Sequence, residues 1–563
     1  MNNVGRLLID HVDIWVGEDS EIKAGRGRLP GDAAPYYGIK KIRELILNLA
    51  FSGKLSPQNI DDHGASEVVK KIHNGINPTL GRKKTEKNKY LLAVEESEQY
   101  FDLPKNWVWS RLGVTGKIFN GNSINENEKL EKFSNLSVGL PFIATKDVGY
   151  GDSSLNYQNG ILIPYDQAGF KVAHAGSVVI CSEGGSAGKK IGIADRDICF
   201  GNKLLANEVH DGVQSKWIFY LYQSNKFFQQ FSSRMTGIIG GISISEFLNI
   251  PVPIAPIEEQ LRIISKIEEL MTLCDQLQNK FLLSSRDRGQ LVDCLLQNLI
   301  ANADSDTLNN NWAQLENLFD VLFVDLESIE KLKKTLIQLA VMGRLTVGAS
   351  RKFLSEGNEL PFSIPITWSV NKLQDLIDPA RAISYGIIKL GVEPKDGGIP
   401  TLRCSDVKPG YIDLTAVRNV SREIESQYSR TRLSGGEVLL NIRGTLGGVA
   451  LVDKSLAGFN IAREVAVLPI INTLSGEYLV YVIRSNYFWG EIMSSLRGIA
   501  YKGLNLGLLR EFSIPLPPRD EQEKIVKVLN RMMSMCDGLI DLIASSSQLK
   551  REIADALVEQ VLT

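Results

Sequence analysis

The chain carries one unit twice, and any fold must accommodate that duplication. DLPKNWVWSRLG (Asp102 to Gly113) is echoed by SIPITWSVNKL (Ser363 to Leu373) about 261 positions later. LPFIATKDV (Leu140 to Val148) returns as IPTLRCSDV (Ile399 to Val407), and AGSVVIC (Ala175 to Cys181) as GGEVLLN (Gly435 to Asn441), each followed by a glycine-rich turn. WIFYLYQSNKFF (Trp217 to Phe228) then matches YLVYVIRSNYFW (Tyr478 to Trp489), and IPVPIAPIEEQ (Ile250 to Gln260) matches IPLPPRDEQ (Ile514 to Gln522). Self-similarity in conserved order marks a repeated architecture. Within each copy, short Val/Ile-rich runs bounded by Gly, Pro, Asn and Asp predict strands and turns, followed by a helix around Tyr220 or Tyr481. Each copy is therefore mixed α/β.

Each copy ends at a Pro-x-Pro stretch, which cannot continue a central strand or enter a helix interior. The E-E-Q or D-E-Q that follows opens a helix whose N-terminal dipole favours carboxylates. Ile264, Ile267, Met271 and Cys274 then fall at alternating steps of three and four, as do Val526, Leu529, Met533 and Cys536, which predicts a seam on a long helix. At about 1.5 Å per residue, a helix from Ile257 to Leu299 is on the order of 60 Å long, enough to act as a spacer. A second helix is expected to carry Leu315, Leu318, Leu322, Ile329, Leu332, Leu336 and Leu339 on one stripe, interrupted by Asp325 and capped near Gly343. No such helix follows the second copy. Its counterpart stands at the front, where Ile39, Ile42, Ile46 and Leu49 align with Ile329, Leu332, Leu336 and Leu339. The repeat is circularly permuted, so the C-terminal helix should pair with the N-terminal one as the central helices pair with each other, giving a pseudo-two-fold object. Deleting Ile39 to Leu55 is expected to damage assembly while touching neither α/β copy.

Composition excludes several functions. The charge of −2 argues against a polycation held to nucleic acid by phosphate neutralisation alone. With 44% apolar residues and no run near the roughly 20 a membrane span needs, a soluble protein is expected. The start MNNVGRLLIDHVDIW is not arranged as an export signal, so a cytoplasmic location is expected. Cys181, Cys199, Cys274, Cys294, Cys404 and Cys536 are dispersed and read as buried or incidental thiols, signalling neither a zinc site nor a disulfide framework. GGSAGKK (Gly184 to Lys190) lacks the spacing and hydroxyl of a nucleotide loop, and neither an adenine-methyltransferase motif nor a convincing nucleophile and base is found. No catalytic residue and no metal site is assigned.

The ordered set of LP-x-x-W, PFIATKDV with PTLRCSDV, the I-P-V-P or I-P-L-P exit before E-Q, and the L-x-x-x-G-[KR]-L helix ends resembles the specificity subunits of type I restriction-modification enzymes, from about Ile39 to Thr563. SEVVKKIHNGINP (Ser66 to Pro78) with GRKKTEKNK (Gly81 to Lys89) resembles the family's connector before the first recognition domain. The resemblance implies an α+β fold: two repeated mixed α/β target-recognition domains separated by long antiparallel coiled-coil helices. It divides the chain into an N-terminal extension (1–35), a conserved helix (36–58), a charged connector (59–100), recognition domain 1 (101–256), a central helical pair (257–346), a linker (347–359), recognition domain 2 (360–518) and a C-terminal conserved helix (519–563). It implies a non-catalytic subunit that binds a bipartite, asymmetric target in double-stranded DNA and assembles with two methyltransferase subunits and motor-endonuclease subunits. S-adenosylmethionine, ATP and magnesium are then the partners' cofactors. The alternative is a stand-alone DNA-binding or phage-defence adaptor built on the same repeat.

Base readout needs directional groups, typically Arg or Lys to guanine and Asn or Gln to adenine, on elements that phosphate contacts hold in register. In the first copy the turns offer Thr145, Lys146, Ser182, Lys189 and Lys190, with Asn202, Lys203 and Arg234 on later loops. In the second they offer Arg403, Ser405, Arg443 and Thr445, with Arg463, Arg497, Tyr501 and Lys502. Lys146 aligns with Arg403 or Cys404, and Glu183 falls near Arg443, as expected of domains that read different half-sites.

Overall fold

The computed structural model describes residues 10–15, 37–59, 61–76, 92–134, 136–151, 154–237, 240–301, 305–345, 353, 360–495 and 503–562. Most of the N-terminal extension, the GRKKTEKNK run, the linker apart from Phe353, and the candidates Arg497, Tyr501 and Lys502 lie outside them. The chain forms two compact units, Met1–Leu282 with Ser547–Thr563, and Leu283–Ser546. No helix among the described residues is long and apolar enough to cross a membrane.

Unit 1 contains α1 (Tyr37–Phe51), β1 (Val108–Arg111), β2 (Gly116–Asn120), β3 (Leu140–Ile143), β4 (Leu162–Ile163), β5 (Val172–Ala173), β6 (Val178–Cys181), β7 (Ile191–Ile193), β8 (Ile198–Phe200), β9 (Leu204–Val209), α2 (Ser215–Gln223), β10 (Pro251–Ile254) and the start of α3 (Ile257–Ala301). Two four-stranded sheets run in the orders β2-β9-β6-β7 and β4-β3-β8-β5. The unbroken apolar run of β6 is buried at every position, as a strand covered on both faces requires. The proline-rich exit is itself a strand, and among the described residues β10 pairs with β1 alone, where its missing N–H groups cost nothing to a larger sheet.

Unit 2 repeats the plan with the end of α3, α4 (Leu326–Val341), β11 (Ser369–Lys372), β12 (Ser384–Tyr385), β13 (Ile399–Leu402), β14 (Val407–Lys408), β15 (Tyr411–Ile412), β16 (Arg418–Val420), β17 (Val438–Asn441), β18 (Val449–Leu451), β19 (Asn460–Ile461), β20 (Val465–Leu468), α5 (Gly476–Arg484), β21 (Ser513–Leu516) and most of α6 (Arg519–Leu562). Its larger sheet runs β12-β20-β17-β18, the second runs β16-β13-β19, and β11 pairs with β21. β13 lies parallel to β19 as β3 lies parallel to β8.

The permuted helix pairing is present inside each unit. In unit 1, Lys41 of α1 pairs with Asp555 of α6 at 2.9 Å and Arg43 pairs with Asp275 of α3 at 2.5 Å. In unit 2, Lys331 of α4 pairs with Asp293 of α3 at 2.9 Å and Lys333 pairs with Asp537 of α6 at 2.9 Å. Each short helix thus touches both long ones. Ile39, Ile42, Ile46, Leu49, Ile264 and Ile267 are buried in one apolar core, with Met271 packed against it. Ile329, Leu332, Leu336, Leu339, Val526, Leu529 and Met533 are buried in the other. Each fully buried Leu or Ile contributes about 1.5–3 kcal/mol.

Two expectations need correction. The second central helix is not continuous: Ser305–Asn317, Phe319–Leu322 and α4 are separate. Asp325 does not interrupt a stripe but starts α4, its carboxylate accepting from the Ser328 N–H at 2.7 Å, while Leu318 at the preceding break is exposed. Nor is α1 remote from the recognition fold. Phe51 meets Trp217 of α2 edge-on at 4.8 Å, so the helix completes the core of unit 1. The cysteines are free and mostly buried, although Cys294 is exposed.

The duplicated signatures meet in space. Gly53 and Gly343 both take φ +71°, letting the chain turn back at the ends of α1 and α4. A Cβ on Gly53 would lie 2.3 Å from Pro104 Cγ, and one on Gly343 2.6 Å from Pro365 Cγ, so L-x-x-x-G meets L-P-x-x-W in unit 1 and I-P-x-x-W in unit 2 in one packing contact. Gln260 is a second anchor. Its amide donates to the carbonyls of Gly212 and Ala255 and accepts from the Gln214 N–H. Gln522 does the same with Thr473, Pro517 and Ser475.

Candidate nucleic-acid interface

In unit 1 the predicted turns converge where β3, β6 and β8 end and β9 begins. The Gly201 N–H donates to the Ile143 carbonyl and the Ser182 N–H to the Lys203 carbonyl, joining turn 144–148, loop 182–190 and turn 201–204. The Gly184 N–H donates to the Gly240 carbonyl, which brings residues 240–241 alongside. Unit 2 reproduces this frame. Ala462 donates to Leu402, Ile442 to Glu464, and Leu504 to Ile442 as Ile242 does to Ser182.

Within the first turn, the buried Asp147 carboxylate accepts from the Ala144 N–H at 2.9 Å, and Asp406 accepts from the Arg403 N–H at 2.8 Å. This equivalence fixes the alignment that the sequence leaves open: Thr145 matches Cys404, and Lys146 matches Ser405 rather than Arg403 or Cys404. Both Lys146 and Ser405 are exposed.

The candidates divide by what already holds them. Arg403 donates to Asp406 and to the Ala416 carbonyl, so its guanidinium braces its own turn. Ser182 is buried and donates to the Lys203 carbonyl, and Arg234 folds back on Gln230. Lys190 donates to the Thr145 carbonyl at 2.9 Å and lies 5.1 Å from the centre of the Tyr150 ring. Lys189, Asn202, Thr445 and Arg463 are exposed, and Arg443 is half-buried with its N–H on the Glu464 carbonyl at 3.3 Å. Lys203 pairs with Glu183 at 3.6 Å.

Three contributors escape sequence reasoning. The buried Asn441 donates to the carbonyls of Cys404, Val407 and Thr445 and so ties both turns of unit 2 together. The only sequence signal is a polar residue ending the apolar run VLLN. In the other unit Cys181 holds that position, its thiol pushed up by burial. Tyr150 is 71% exposed and bonded to Ser186, giving the turn an aromatic face. Glu464 accepts from Arg463 at 3.4 Å.

Two copies of one framework, each presenting a polar cluster of turns with different side chains, define a duplicated recognition protein. Residues 104–282 and 365–544 match the family described as Type I restriction modification DNA specificity domain, and the chain belongs to that family. It is 26% identical to the Escherichia coli type I restriction enzyme EcoAI specificity subunit, with 100% of each chain covered. It is 28% identical to the EcoEI specificity subunit of the same organism over 99% of this chain and 100% of that one. The Escherichia coli EcoBI specificity subunit is 24% identical over 77% of this chain and 81% of its own.

Proposed function

We propose that the chain is the non-catalytic specificity subunit of a type I restriction-modification complex, reading a bipartite, asymmetric site in double-stranded DNA with one half per unit. The observation that carries this reading is the shared backbone frame of the two turn clusters, on which equivalent positions hold different polar side chains. A frame held by backbone hydrogen bonds fixes register, and the side chains on it supply sequence preference. Unlike side chains on a like frame favour unlike half-sites. The chain makes or breaks no covalent bond itself; S-adenosylmethionine, ATP and magnesium act in methyltransferase and motor-endonuclease partners in the cytoplasm.

Exposed apolar residues support docking of two copies of one partner. Leu273 of α3 and Met535 of α6 stand at equivalent helix positions and are 40% and 63% exposed, as do Leu291 and Ile553 at 43% and 37%. Apolar groups left uncovered at matching positions suit a repeated interface. The test is to co-express the chain with the methyltransferase subunit and map modified adenines across a genome. One bipartite motif with a fixed gap is expected. Methylation or cleavage of DNA by the purified chain alone would overturn the reading, as would a complex that modifies without sequence preference.

A further inference from the structure

Two equivalent turn positions carry exchanged charges. Glu183 and Arg443 each follow the residue whose N–H meets the neighbouring turn, Ser182 on Lys203 and Ile442 on Glu464. Glu183 therefore matches Arg443, and Lys203 matches Glu464. Unit 1 holds an anion on the first turn and a cation on the second; unit 2 holds the reverse. The Lys203–Glu183 pair is long at 3.6 Å, with side chains 53% and 42% exposed. So exposed and long a pair adds little to stability, too little to account for the arrangement. Beside it the loop is open. Gly184 takes φ +89°, and a Cβ placed on Gly184 or Gly185 would meet no atom within 4 Å, which leaves room for another molecule to approach the backbone.

We propose that Glu183 and Arg443 are specificity-determining groups of their units, reading opposite hydrogen-bonding faces at the same framework position. A carboxylate is an acceptor only, and in the major groove it suits the cytosine N4 amino group; a guanidinium is a donor only, and it suits guanine O6 and N7. Lys203 is a positioning residue that holds the counter-charge on the adjoining turn of unit 1; in unit 2 Glu464 carries that charge, its carboxylate accepting from Arg463 at 3.4 Å. Asn202 and Arg463, which match through their N–H bonds to Asn122 and Ile387, flank the same point. The inference rests on the reading of the units as DNA-recognition domains.

The experiment uses the full chain with its methyltransferase subunit. Glu183→Arg combined with Lys203→Glu gives unit 1 the charges of unit 2 while preserving an ion pair, so a purely structural role leaves the target unchanged. Genome-wide mapping of modified adenines should instead show one base of one half-site changing from cytosine to guanine, with preference altered at least about tenfold. The other half-site and the gap should stay as they are. An unchanged motif would overturn the inference. Arg443→Gln introduces no new charge and serves if the double variant does not assemble: its half-site should move from guanine towards adenine, and an unaltered half-site would overturn the proposal equally. Wild-type complex without any sequence preference would overturn the DNA reading itself, and the inference with it.

Discussion

Unit 1 and unit 2 satisfy one equivalent carbonyl of their shared frame with different side chains. The carbonyl of Thr145 accepts from Lys190 Nζ at 2.9 Å, and the equivalent carbonyl of Cys404 accepts from Asn441 Nδ2 at 2.9 Å. The donors come from different places in the chain, Asn441 at the end of β17 and Lys190 just before β7. The Cys181 N–H meets the Lys190 carbonyl as the Asn441 N–H meets that of Gly448, so glycine stands where unit 1 has its lysine. A Cβ on Gly448 would lie 2.2 Å from Asn441 Nδ2, which shows that loss of one side chain makes room for the other. A buried carbonyl must be satisfied, but its donor is interchangeable. The frame is therefore kept while the surface it presents is free to change.

The largest effect should come from the glycines common to both units. Gly53→Ala and Gly343→Ala each force a Cβ into a proline ring from a left-handed backbone, and each should cost about 2–4 kcal/mol by urea unfolding. A tolerated substitution in one unit alone would break the equivalence. Next come the polar anchors. Asn441→Ala strands three carbonyls and should destabilise unit 2 by about 2–3 kcal/mol, whereas Cys181→Ala in unit 1 should cost about 1 kcal/mol or less. Equal losses would show that the two sites are not built differently. Gln260→Ala and Gln522→Ala, by contrast, should cost the same within about 0.5 kcal/mol.

A pH comparison sharpens the helix starts. Glu259 is fully buried and accepts from Trp107 at 2.8 Å and Gln58 at 2.6 Å, yet burial raises its carboxyl above the ordinary value of 4.5. A raised folded value means that its stabilisation is complete below pH 4.5 and lost as pH rises through the folded value. Glu259→Gln should flatten that part of the unfolding-temperature profile and leave unit 1 relatively more stable near neutrality. In unit 2, by contrast, Trp368 Nε1 has no hydrogen-bond partner among the described residues. The smallest effect is expected at the helix seams, where Lys41→Met and Lys331→Met each remove partly exposed ion pairs worth about 0.2–1 kcal/mol. Losses of several kcal/mol would show that these pairs do more than trim the seams.

Much of the helical plan was legible because apolar residues at steps of three and four have few other uses on a long helix. The break at Asp325 was not, since a capping carboxylate and an interrupted stripe look alike in sequence. Among site residues, Lys146, Lys189, Asn202 and Arg463 could be found as exposed polar residues of turns. Ser182 and Arg403 have the same composition but are consumed by their own turns, a distinction that depends on side-chain direction. Asn441 shows in sequence only as a polar residue ending an apolar run, because its role lies in three carbonyls brought to it by chain closure.

Duplication, permutation of the helices and the apolar faces that seal each core can all be read along the chain, because periodicity and order are local or simply countable. Tertiary structure decided which residues share a position. It matched Lys146 with Ser405, brought the L-x-x-x-G ends onto the [LI]-P-x-x-W turns, and set Glu183 opposite Arg443 in charge on the same frame. Those matches follow from hydrogen bonds between segments distant in sequence, and only the closed backbone defines them.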